Sequence, residues 1–82
     1  MQAPASPAKP SPTVVTIENA LSMLTSPTIV QADIHDASPT TLIDRDGRLY
    51  TVDEHNPADR AKVQQAAFAR HERDRTFTLF VE

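Results

Sequence analysis

The chain has no cysteine and no tryptophan, a single glycine, and four large rings: Tyr50, Phe68, Phe77 and Phe80. Without cysteine there is no disulfide, no thiolate nucleophile and no thiolate metal ligand. One glycine, Gly47, cannot build a glycine-rich phosphate loop, and no Gly-x-Ser-x-Gly elbow occurs. No apolar run approaches the ~20 residues that a membrane-spanning helix needs. The first residues carry one lysine, Lys9, and no apolar stretch behind it, so no signal peptide is read and a soluble, cytoplasmic protein is expected. A net charge of −3 is too weak to mark a binder of polyanions.

These absences also bear on stability. A chain of 82 residues makes one domain at most. At that size folding buries only about 60% of the surface of the unfolded chain. Small domains often add a disulfide, a metal or a second subunit to compensate. With disulfides excluded and few bulky side chains, a lean core or association is expected.

Residues 41–52, TLIDRDGRLYTV, organise the rest. Asp46-Gly47 lies between two alternating apolar runs, a strong signal for a β-hairpin, because the tight turn needs positive φ. A two-residue turn would set Arg45 opposite Arg48, Ile43 opposite Tyr50 and Thr41 opposite Val52. Ile43, Tyr50 and Val52 would then share one face, with Leu42 and Leu49 on the other. A longer loop starting at Asp44 would shift that register by one residue.

Around the hairpin the chain divides as follows. Residues 1–12 hold Pro4, Pro7, Pro10 and Pro12 among alanine and serine, and read as a disordered tail. Two overlapping PxxP patterns there read as solvated tail rather than as an SH3-type ligand. Residues 14–24 carry a helical stripe of Val14, Ile17, Ala20, Leu21 and Leu24, capped by Thr13 or Thr16 and stopped at Ser26-Pro27. The β-branched start, Val14-Val15-Thr16-Ile17, allows a strand leading into a shorter helix instead. Residues 28–36 alternate, with Val30, Ala32 and Ile34 facing one way and Gln31, Asp33 and His35 the other.

Ala37-Ser38-Pro39 is a turn. Asn56-Pro57-Ala58-Asp59 opens a second helix to about Arg73, with a capping amide, a proline at the first position and an acid at the positive end of the dipole. It should pack closely on the sheet through Ala66, Ala67 and either Val63 or Phe68. Residues 76–81, TFTLFV, form the clearest strand by composition. Phe77, Leu79 and Val81 share one face, and Phe80 on the other needs cover. The expected fold is α+β: residues 13–82 form a small, mostly antiparallel sheet of about four strands with two helices on one face. A last strand reached through the second helix would lie parallel to its neighbour in a right-handed crossover.

Chemistry-bearing patterns are sparse. Asp33, His35 and His55 could begin a zinc site of a metal-dependent hydrolase, but no spacing makes them converge, and no metal or other cofactor is expected. The segment 44–48, DRDGR, has Leu42 where a calcium loop needs a ligand, and Asp53 where it needs a bidentate glutamate. Charge is uneven. Residues 18–54 hold seven acidic residues against two arginines, and residues 59–75 hold five basic residues against three acidic ones. Arg60, Lys62, Arg70, Arg73 and Arg75 therefore suggest a nucleic-acid-binding helix. In element order the chain resembles a double-stranded-RNA-binding domain, and ADRAKVQQAA resembles that family's alanine-rich second helix. Asp59 stands where the family needs a basic cluster, and a further strand follows.

The last strand carries the leading expectation. Phe77, Thr78, Leu79, Phe80 and Val81 form an uncharged strand expected at a sheet edge, where soluble proteins cover or pair such surfaces. Pairing across a two-fold axis would make a homodimer, and a partner protein could equally add a strand. The expected function is therefore non-catalytic: a regulatory or adaptor protein, of inhibitor, antitoxin or subunit type, that binds another protein or itself, and not a membrane.

Overall fold

The computed structural model describes residues 12–35 and 38–82. Apart from Pro12, the proline-rich tail and its PxxP patterns lie outside the described residues. So do the end of the expected 28–36 strand and the first residue of the turn after it.

The elements run β1 (Thr13–Val15), α1 (Ile17–Met23), β2 (Ile29–Ile34), β3 (Thr41–Asp44), β4 (Leu49–Val52), α2 (Pro57–Arg73) and β5 (Thr78–Val81). They form one sheet ordered β1-β4-β3-β2-β5. β1 is parallel to β4 and β5 is parallel to β2, while β3 is antiparallel to both its neighbours. Four strands thus point one way and β3 alone opposes them. The α+β class with two helices on one face holds. The sheet has five strands rather than about four, and it is mixed rather than mostly antiparallel.

The extra strand comes from the expected first helix. Its β-branched start pairs with β4 instead, and Thr16 separates strand from helix by accepting the Asn19 N–H on Oγ1 at 3.1 Å. Thr16 thereby satisfies one of the amides that a helix start leaves without a partner. The helix is shortened to Ile17–Met23. α2 begins as its sequence dictates, with Asn56 Oδ1 accepting from Asp59 N–H at 2.9 Å and Pro57 in the first turn.

Both helices feed one core. Ala20 of α1, Leu24 at its C-cap, and Val63 and Ala67 of α2 pack with Ile29, Ala32, Ile34, Leu42 and Val52 of the sheet and with Phe77. Val63 and Ala67 are one turn apart, so they share a face. Phe68 falls outside that stripe and is 46% exposed, so it is not the residue that meets the sheet.

The hairpin takes the longer loop. Leu42 pairs with Tyr50, Ile43 with Leu49 and Thr41 with Thr51. The expected pairs of Ile43 with Tyr50 and Thr41 with Val52 are therefore off by one residue, and Leu42 joins Tyr50 and Val52 on the core face. Asp44 is the cause. Its Oδ1 accepts the N–H groups of Asp46 and Arg48, and its Oδ2 accepts the Tyr50 hydroxyl at 2.9 Å. Gly47 adopts positive φ, at 87°, and its N–H closes on the Asp44 carbonyl at 2.9 Å. One left-handed residue suffices for a three-residue loop, where the two-residue turn would need two. A bulge at Ile29–Gln31 then lets Ile29 reach the core in place of Val30.

The opposite sheet face is not covered by any element among the described residues. By register it presents Val14, Thr51, Thr41, Asp33 and Phe80 across the strands, with Leu49, Ile43, Gln31 and Thr78 in the next row. Gln31 donates to Asp33 at 2.9 Å there, so the middle of this face is polar.

Candidate protein-binding edge

β5 occupies one edge of the sheet. The chain reaches it through a tight turn. Asp74 Oδ1 accepts both the N–H (3.1 Å) and the hydroxyl (2.6 Å) of Thr76, and Phe77 N–H closes on the Asp74 carbonyl at 3.0 Å. Thr76 is thus spent on the turn, and the strand begins at Thr78 rather than at 76. The Thr76 hydroxyl and N–H hold the Asp74 carboxyl below the ordinary carboxylate range. Burial works against them, and Arg70 adds to the lowering.

Phe77 does not belong to the exposed edge. It is 1% exposed and lies under the Arg70 guanidinium, 4.8 Å from its ring centroid. Its carbonyl pairs with His71 Nδ1 at 2.8 Å; a carbonyl can only accept, so Nδ1 carries the proton. Beyond this anchor the strand opens outward. Thr78 is exposed, Leu79 is half-buried, and Phe80 and Val81 are each 55% exposed. Residues 78–81 carry no charge, proline or bulge, the devices by which sheet edges are usually blunted. The other edge differs: β1 is three residues long and directly follows Pro12.

The orientation of β5's main chain follows from its pairing. Glu82 N–H donates to the Ile34 carbonyl at 3.0 Å, and Phe80 and Thr78 sit in register with Asp33 and Gln31. Alternation along a strand then turns the main-chain groups of Thr78, Phe80 and Glu82 toward β2. Those of Leu79 and Val81 turn toward the open edge.

The five basic residues do not form one surface. Arg70 is 6% exposed and works inside the fold. Its Nη1 donates to the carbonyls of Leu24 (3.0 Å) and Ser26 (2.8 Å), and its Nη2 to that of Ile29 (3.0 Å). It therefore closes the carbonyl end of α1 and the loop to β2, and its donors are not free for a phosphate. Arg60 donates to the Ser38 carbonyl at 2.9 Å and to Glu54 at 3.3 Å. Glu54 in turn accepts the N–H and hydroxyl of buried Thr40. Arg75 pairs with Glu72 at 3.4 Å, while Lys62 and Arg73 are exposed.

The three suggested metal ligands also have separate partners. Asp33 is bonded by Gln31, His35 pairs with Glu82 at 3.3 Å, and His55 pairs with Asp53 at 3.2 Å. Among the described residues no group of three acidic or histidine side chains is placed to hold a metal ion.

Two clefts lie at the end of the sheet where β1 and β4 lead into the helices. One, of about 360 Å³, is lined by Glu18, Asp53, His55, Asp59 and Lys62. The other, of about 340 Å³, lies beside Pro39, Glu54, Pro57 and Arg60. Arg60 lines it, and its Nη2 is buried without a hydrogen-bond partner among the described residues. No helix among the described residues is long and apolar enough to cross a membrane.

Sequence reasoning found the strand and its apolar character. It assigned Arg70 to a nucleic-acid-binding helix rather than to the carbonyls of Leu24, Ser26 and Ile29, and it did not single out Asp74, which holds the turn before β5. An Asp two residues before a Thr, just past a helix, is a local turn signal that could have been read. The chain matches no family model, no curated protein and no solved structure.

Proposed function

We propose that this chain is a non-catalytic regulatory or adaptor protein that binds another protein by extending its sheet at β5. The observation that carries this reading is the unblunted edge, with Phe80 and Val81 each 55% exposed beside outward-facing main chain. Strand addition draws its affinity from main-chain hydrogen bonds and its selectivity from alternate side chains. Leu79 and Val81 would supply the bonds, and Phe80 would supply the contact on the open face.

The test is quantitative capture from the native cell by the wild-type chain and by Val81→Pro, with Arg73→Ala as a control away from the edge. The proline removes a donor facing the edge and leaves the bonds of Phe80 and Glu82 to β2 in place. A partner should be captured by wild type and Arg73→Ala and lost with Val81→Pro. Equal recovery of every protein with all three chains would contradict the reading. A phosphate-binding role for α2 gains no support from Arg70, whose donors are engaged within the chain, or from Arg60, whose Nη1 is engaged and whose Nη2 is buried; absence of a gel shift at low salt would remove it.

A further inference from the structure

The geometry points to a second copy of this chain as an occupant of the β5 edge, paired antiparallel about a two-fold axis through Phe80. This rests on the reading of β5 as a docking edge and names its partner. With the axis at Phe80, Leu79 of one copy lies opposite Val81 of the other, and the reverse. These are the residues whose main-chain groups face outward. Each such pair exchanges two hydrogen bonds, so about four form across the axis. Phe80 then sits in the central non-hydrogen-bonded position, where Cα atoms approach to about 4.5 Å and side chains are closest.

Side-chain chemistry agrees on both faces. On the helix face the half-buried Leu79 meets the exposed Val81 of the other copy, twice. On the open face the two Phe80 rings meet, an arrangement that aromatic pairs favour. No charged residue lies within 78–81, so no like charges are opposed near the axis. Glu82, the nearest charge, is drawn toward its own chain by His35 at 3.3 Å and would lie opposite Thr78. Joining β5 to the β1 edge of another copy is less suited. β1 offers three residues after a proline, and head-to-tail joining of that kind extends without closing.

The absence of native cysteine makes the test clean. Phe80→Cys places two thiols at the axis, within the Cα separation of about 4.4–6.8 Å that a disulfide accepts. Thr78→Cys places them opposite Glu82, some four residues apart or roughly 13 Å. Mild oxidation should cross-link Phe80→Cys roughly tenfold more than Thr78→Cys, given that geometry. In sedimentation the wild-type chain should be dimeric and Val81→Pro monomeric with its circular dichroism retained. Wild type that stays monomeric, cross-linking equal at both positions, or a dimer that survives Val81→Pro would each overturn the self-pairing. If wild type is monomeric yet captures a partner that Val81→Pro loses, self-pairing falls and the edge reading stands. If partner capture is insensitive to Val81→Pro, the edge reading falls as well.

Discussion

Arg70 shows how much one side chain contributes here. It carries the charge of a helix-end residue, yet its guanidinium serves three carbonyls of the α1–β2 connection and covers the Phe77 ring. Removing it leaves those carbonyls unsatisfied in a buried place, which costs about 1–3 kcal/mol per group where water cannot enter. Arg70→Ala should therefore lower stability by about 3 kcal/mol in denaturant titration, a large share of a small domain's total. Arg70→Lys should recover part of that, because an ammonium keeps the charge but lacks the planar fork. The sequence shows a basic residue in the last turns of α2, where positive charge meets the negative end of the helix dipole. Nothing local reveals that a loop 41–46 residues earlier returns to it.

Asp44 and Tyr50 give a second prediction at the same scale. Burial alone would raise the Asp44 carboxyl. The N–H groups of Arg48 and Asp46, the Tyr50 hydroxyl and the Arg48 charge outweigh it and hold the carboxyl below its usual value. The same bond, with burial, raises the Tyr50 phenol. A depressed carboxyl contributes stability that is present above its unfolded value, about 3.9, and is lost as pH falls through the folded one. A raised phenol contributes stability that is present below about 10 and is lost as pH rises through its folded value. Thermal melts should thus show a plateau at neutral pH that falls on both sides, with Asp74 adding to the acid limb. Tyr50→Phe should weaken both limbs; unchanged profiles would contradict the Asp44–Tyr50 bond.

At the scale of elements, the hairpin and β1 mark what the sequence could and could not convey. Asp-Gly located the turn, but its length depended on Asp44 facing the core to take three bonds, which no pattern of alternation records. Gly47→Ala meets no atom within 4 Å, so its cost is the positive φ alone, about 1 kcal/mol by denaturant midpoint. Residues 13–15 fit strand and helix equally well locally. Their partner is β4, more than thirty residues away, and long-range pairing decided the matter. By contrast α2 carries its own start signal in Asn56, Pro57 and Asp59, so it was readable. Asn56→Ala should cost about 1 kcal/mol through the lost cap.

For the whole molecule, both helices lie on one sheet face and the two edges are unequal. β1 is short and proline-preceded, whereas β5 is uncharged and half open. Composition indicated an apolar strand; its place at an edge followed from the crossover through α2, which a sequence pattern does not fix. If the edge takes a second copy, the melting temperature should rise with protein concentration, because association stabilises the folded state by mass action. Phe80→Lys should remove that dependence and leave the unfolding free energy of the dilute chain within about 0.5 kcal/mol of wild type, as for an exposed site.

Amide hydrogen exchange at Leu79 and Val81, followed from low to high protein concentration, tests the central claim most directly. In dilute solution these two amides should exchange freely while those of Phe80 and Glu82 are protected, and at high concentration all four should be protected. Leu79 and Val81 protected already in dilute monomer, or open at every concentration, would contradict the account.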